Sequence, residues 1–151
     1  MEFSDYITGF VDGEGTFNVS FSERKKLRVG VEVKPSFSVS QHKRNLKVLE
    51  EIRDYFGVGS IRFSRRDQNY KYEVRSIKDL VEKIIPNFKR YPLRTTKVKD
   101  FEIFSEICEL VRSNHHLNRD YLKLIIDKAY QMNAGGKRKY NKEELLKLIA
   151  R

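Results

Sequence analysis

The 151-residue chain has no tryptophan, one cysteine and three prolines, and its first fifteen residues hold no lysine or arginine. The lone thiol, Cys108, excludes an intramolecular disulfide and a multi-cysteine zinc site, and it fits an intracellular protein. Apolar runs stop at about five residues, far short of the ~20 that span a bilayer, so no membrane segment is expected. The opening MEFSDY has neither the basic nor the apolar region of a signal peptide. Three histidines, His42, His115 and His116, are too few and too scattered for a zinc site. What the chain does have is core material. Hydrophobic residues make up 39%, with ten Phe and eight Tyr, which excludes disorder of the whole chain.

Charge is unevenly placed. The net +10 divides into −4 over residues 1–15 (Glu2, Asp5, Asp12, Glu14), +7 over 16–75 and +7 over 76–151. A basic protein with an acidic leading segment fits a polyanion-binding surface and a separate acidic centre. Ordinary solubilising charge is the competing reading.

Periodicity predicts an α+β domain. A short first helix carries Phe3, Ile7, Phe10 and Val11 at helical spacing, with Ser4 as its cap and a glycine stop at Gly13-Glu14-Gly15. Thr16–Ser22 and Val29–Ser40 alternate with period two and flank a basic turn, Glu23–Arg28, which reads as a long hairpin with one dry and one wet face. A helix follows with Leu46, Leu49, Ile52, Tyr55 and Phe56 on one side, closed by Gly57. A second hairpin runs from about Gly59 to Arg75, turning Ile61, Phe63, Tyr70, Tyr72 and Val74 inward. The next helix carries Ile77, Leu80, Val81, Ile84 and Ile85 and is expected to stop at Pro86. Three more helical patterns lie near 97–112, 119–132 and after the capping box Asn141…Glu144. The order is α, then ββα twice. It implies a four-stranded antiparallel sheet covered on one side by helices, within one domain over 1–151, with a core of about 1–112 and a C-terminal helical part of about 113–151.

The end of the first helix is chemically odd. Gly9 and Gly13 share one helical face, although each glycine costs about 1 kcal/mol against alanine in a helix interior. Glu14 lies where the helix dipole is negative and disfavours a carboxylate. A hard divalent cation held by carboxylate and carbonyl oxygens would remove the conflict. A solvated acidic turn is the alternative.

These residues carry a resemblance. Ile7-Thr8-Gly9-Phe10-Val11-Asp12-Gly13-Glu14-Gly15 resembles the motif of LAGLIDADG homing endonucleases, in a variant whose final acid is Glu. The αββαββα order matches that family's core. Ser38-Val39-Ser40-Gln41, Tyr91-Pro92-Leu93-Arg94-Thr95-Thr96-Lys97 and the tail from Met132-Asn133 into Gly136-Lys137-Arg138-Lys139-Tyr140 look like the family's segments as well. The resemblance implies a metal centre at Glu14, with the Gly13 carbonyl as second ligand and Asp12 mainly structural. It implies catalytic roles for Glu14, Gln41 and Lys97, the last two organising solvent and stabilising charge near the scissile phosphate. Mg²⁺ is the implied cofactor, with Mn²⁺ substituting and Ca²⁺ binding without supporting cleavage. Only one motif is present, which implies a homodimer with Ile7, Gly9, Phe10 and Gly13 at its interface and a nearly palindromic DNA target. The family context implies intron encoding and an intracellular setting, organellar or in a prokaryotic cytoplasm.

The hairpins would supply recognition, since a β-ribbon fits the major groove. The first offers Asn18, Ser20, Ser22, Arg24, Lys25, Lys26, Arg28, Glu32, Lys34, Ser36, Ser38 and Ser40. The second offers Ser60, Arg62, Ser64, Arg65, Arg66, Gln68, Asn69, Lys71, Glu73 and Arg75. Lys137, Arg138 and Lys139 are expected on phosphates, and Cys108 in the core. The expected function is site-specific, metal-dependent hydrolysis of double-stranded DNA. The alternative is a non-cleaving binder of the same fold, such as an intron-RNA maturase or a DNA-binding regulator. A general RNA-binding protein is disfavoured, because no aromatic row lies on the outward sheet face.

Overall fold

The structure is a computed structural model and describes residues 2–133 and 138–150. Helix α1 spans Phe3–Glu14, and strands β1 (Gly15–Glu23) and β2 (Val31–His42) follow. Helix α2 is Leu46–Phe56, and the second hairpin is β3 (Ser60–Ser64) and β4 (Asn69–Val74). The strands hydrogen-bond in the order β1-β2-β4-β3. Phe37 to His42 of β2 pair antiparallel with Val74 to Asn69 of β4. The α+β class with a four-stranded antiparallel sheet is as the sequence predicts.

Contacts divide the chain into two compact units, Met1–Phe17 with Ser36–Val98, and Asn18–Pro35 with Lys99–Arg151. The core of the first holds an aromatic cluster. Phe17, Phe37, Phe56 and Phe88 pack with ring centroids 5.2–6.1 Å apart, all essentially buried. Tyr72 joins them and donates its hydroxyl to the Val58 carbonyl at 2.7 Å, which satisfies its polar tip. Gly57 closes α2 at φ 72°, the left-handed conformation that glycine takes at least cost.

The second unit contains α5 (Lys97–Arg112, from Lys99 onward), α6 (Arg119–Ala129) and α7 (Lys142–Ala150). Its buried residues include Phe104, Ile107, Cys108, Leu122, Ile125 and Ile126, and burial pushes the Cys108 thiol pKa up. The Asn141 carboxamide caps α7, accepting from the Glu144 amide at 2.8 Å and donating to the Glu144 carboxylate at 2.9 Å. Asn118 caps α6 by accepting from the amides of Asp120 and Tyr121.

Several expectations are corrected. Ser4 does not cap α1; the cap position is Glu2, which makes no side-chain capping bond. Pro86 does not end its helix. Helix α3 (Ile77–Asp79) widens into a π-helical turn over Leu80–Ile84, and α4 (Ile85–Arg90) continues with Pro86 in its first turn. In that first turn the missing proline N–H is tolerated, and the wider turn precedes the ring. Phe63 is not turned fully inward: it is about two-fifths exposed, as are Phe3, Tyr6 and Tyr121.

Candidate active centre and nucleic-acid interface

The acidic motif lies at the junction of α1 and β1, where the last helical residue, Glu14, is followed at once by the first strand residue, Gly15. Gly15 is extended, at φ −84°, so its glycine does not serve a left-handed turn. It serves a close approach instead. A Cβ there would lie 2.6 Å from Val11 Cγ1 and 3.0 Å from the Val11 carbonyl oxygen.

The two carboxylates of the motif have opposite surroundings. Asp12 accepts from the Arg94 amide at 2.8 Å, the Thr95 amide at 3.2 Å and the Thr95 hydroxyl at 2.8 Å. Burial opposes its charge, but these bonds and the nearby Lys97 outweigh burial and hold the Asp12 pKa below the ordinary value. Asp12 therefore fastens α1 to the segment leading into α5. Glu14 is exposed, and no partner for it is found among the described residues.

Lys97 resolves a second local conflict. It opens α5, where the dipole disfavours a cation, but its ammonium donates to the carbonyls of Val11 (2.9 Å) and Gly15 (2.5 Å) at the negative end of α1. Gln41, near the end of β2, accepts from the Asn45 side chain at 3.1 Å and lines a cleft of about 430 Å³ with Tyr6, Phe10, Arg44, Lys47 and others.

Among the described residues no cluster of three His, Cys, Asp or Glu side chains could by itself hold a metal. What one chain offers is a hard-oxygen pair, the Glu14 carboxylate and the carbonyl of Gly13 near the helix end. That chemistry fits Mg²⁺ or Ca²⁺ completed by ligands from outside the chain, and does not fit zinc.

One face of α1 is left open. A Cβ at Gly9 or Gly13 would meet nothing within 4 Å, and Phe3, Tyr6 and Phe10 form a run of ring contacts 5.7–5.9 Å apart. A cleft of about 760 Å³ runs beside it, lined by Asp5, Thr8, Gly9, Asp12 and residues 90–94. Ile7 is not on this face. It is fully buried with Val11, four residues on, on the inward side of the helix, so its expected interface role is corrected.

In the first unit, the second hairpin bears Arg62, Arg65, Arg66, Lys71 and Arg75, all exposed. Arg62 and Lys71 are direct cross-strand partners, and Glu73 lies between them, 2.9 Å from Arg62 and 3.2 Å from Lys71. Like charges placed opposite each other destabilise a sheet, and the shared carboxylate removes the repulsion. Gln68 sits in the turn at φ 58°, donating to the Arg65 carbonyl and accepting from Lys43, so both ends of its amide are engaged. Asn69 follows, its backbone N–H donating to the Asp67 carboxylate, while Ser60 and Ser64 remain on β3. Ser36 is half-buried and Ser40 exposed, but Ser38 is only 8% exposed, contrary to its expected outward role. It is a short side chain on a central strand, opposite Glu73, whose side chain is itself only 10% exposed.

In the second unit, Arg24, Lys25, Lys26 and Arg28 are exposed in and beside the turn, and Arg24 pairs with Glu32 at 3.0 Å. Asn18, Ser20, Ser22 and Lys34 are half-buried, and Ser20 donates to the Lys34 carbonyl. Lys139 is exposed beside the Tyr140 ring, and Lys137 lies outside the described residues. Arg138, expected on a phosphate, has partners within the chain. Half-buried, it donates to the carbonyls of Val19 at 2.5 Å and Ala129 at 2.7 Å, with its guanidinium over the Tyr130 ring. No sequence signal separated it from its basic neighbours.

The sequence model of the LAGLIDADG endonuclease family matches residues 7–108, about two-thirds of the chain, and this protein belongs to that family. "Homing endonuclease I-ApeII" of Aeropyrum pernix is 31% identical over 95% of this chain and 88% of its own length. A solved structure, "Archaeal Intron-encoded Homing Endonuclease I-Vdi141I Complexed With DNA", superposes at a TM-score of 0.89 with 32% identity, covering 97% of this chain and 94% of that one. "Probable intron-encoded endonuclease 3" of Neurospora crassa is 34% identical over 85% of this chain, which spans only 24% of its length.

Proposed function

We propose that this chain is an intron-encoded homing endonuclease that acts as a homodimer, cutting both strands of a long, nearly palindromic DNA site with a divalent metal, Mg²⁺ by preference. The observation that carries the reading is Glu14, an exposed carboxylate without a partner among the described residues, presented at the negative end of a helix. A protein that only binds nucleic acid has no use for an acid placed there.

Glu14 and the Gly13 carbonyl are the groups that would hold the metal, whose contribution is to polarise the phosphate and lower the barrier to attack by water. Lys97 keeps its ammonium at the end of α1 and offsets negative charge around the centre. Gln41 supplies an amide at the mouth of the cleft beside Tyr6 and Phe10, suited to ordering solvent. The open glycine face of α1 with its exposed aromatics supports pairing with a second copy, which would bring two Glu14 carboxylates together. Mn²⁺ is expected to substitute, and Ca²⁺ to support binding without cleavage. The exposed basic hairpins support duplex DNA as the partner.

Glu14→Gln tests the centre. Cleavage in Mg²⁺ should fall by about a thousand-fold or more while duplex affinity stays within a few-fold of wild type. A variant that still cuts would place the chemistry elsewhere. A wild-type protein that binds duplex or intron RNA yet never cuts would mean a binder of the same fold.

A further inference from the structure

We propose that Arg138 is a positioning residue for target-site specificity, tying strand β1 at Val19 to the end of α6 at Ala129 and so fixing the segment that carries Asn18, Ser20 and Ser22. The inference rests on the reading, given above, that these side chains face the bases.

Among the described residues β1 lies at the edge of the sheet and has a neighbouring strand on one side only. Its line therefore depends on what else holds it. Arg138 holds it with a planar fork, one nitrogen on the Val19 carbonyl and another on that of Ala129. The guanidinium stacks 4.7 Å from the Tyr130 ring centroid. That ring lies against Phe21 of β1 at 6.4 Å, and its hydroxyl donates to the Tyr140 carbonyl. Asn18 and Ser20 flank Val19, so a shift of this carbonyl moves both of them. A small cavity of about 120 Å³ beside Asn18 and Ser20, lined also by Tyr130 and Arg138, leaves room for such a shift once the fork is gone.

The proposal separates cleanly from a phosphate contact. A phosphate needs charge, so lysine would serve; here two separate nitrogens of one planar group, stacked on Tyr130, each take a carbonyl, and a single ammonium does not reproduce that spacing and stacking. Full-length wild type, Arg138→Lys, Arg138→Gln, Tyr130→Phe and Asn18→Ala would each select bound duplexes from a randomised DNA library, read out by sequencing. Asn18→Ala marks the base pairs that β1 reads. Arg138→Lys should lower discrimination at those base pairs, and at neighbouring ones under Ser20 and Ser22, by about tenfold. Base pairs read by the second hairpin act as internal controls and should keep their preference. Tyr130→Phe should relax the same base pairs to a smaller extent. Arg138→Gln should leave the slope of log affinity against log salt unchanged.

An Arg138→Lys profile equal to wild type overturns the proposal. So does a slope shallower by about one unit for Arg138→Gln with base preferences intact, the signature of a lost phosphate contact. Uniform loss at every base pair together with a lower melting temperature would mean a structural role only. If Asn18→Ala changes no base pair, β1 does not read bases, and the underlying assignment fails independently of Arg138.

Discussion

Asp12 and Glu14 stand two residues apart, about 200° around one helix, and the turn between them divides their roles. Asp12 is committed to Arg94 and Thr95, while Glu14 is exposed. Asp12→Asn should therefore destabilise the fold, by about 1 kcal/mol after screening by solvent. The loss should depend on pH. Because the folded pKa of Asp12 is depressed, its contribution is complete above the ordinary carboxylate value and disappears as pH falls through the folded one. Urea denaturation at pH 7 and in steps below about pH 4 should show the gap between variant and wild type closing. A gap independent of pH would assign the effect to packing. The acids themselves are legible in the sequence, and the misplaced dipole singles out Glu14. That Asp12 is partnered is less legible, because its donors lie more than eighty positions away. Arg138 is harder still, since nothing in a basic tripeptide marks one side chain as serving carbonyls on two other elements.

Helix α1 joins two requirements that conflict in an isolated chain. Nothing in its own fold requires glycine at position 9, where an added Cβ has open space. Gly9→Ala should accordingly stabilise the isolated chain by up to about 1 kcal/mol. On the proposed reading the same methyl group keeps two helices apart and should shift the dimer toward monomer, measured by sedimentation across a concentration series. A dimer unchanged in strength would locate the interface on another surface. Helix periodicity made most elements legible, with boundaries close to those observed. It failed at Pro86, because a π-helical turn is a property of backbone spacing and leaves no mark on the apolar pattern. Strand alternation failed at the tip of the second hairpin, where Phe63 has inward parity but stands 43% exposed against Tyr70.

At the scale of the molecule, 31 basic residues against 21 acidic ones predict salt-sensitive binding. With several phosphates neutralised per chain, duplex affinity should fall by about a thousand-fold or more between 50 and 200 mM salt. A flat response in a binding titration would exclude the basic hairpins as the docking face. The pairs Arg24–Glu32 and Arg62–Glu73–Lys71 add a consequence. A cation already resting on a carboxylate gains little from a random phosphate, because it must give up one anion to take another. Only a site that rewards the exchange, as a guanine edge does for a guanidinium fork, tips the balance. On the proposed reading the hairpins are reluctant as well as attractive, and in a genome of mostly wrong sequences that reluctance would leave the protein free to move on.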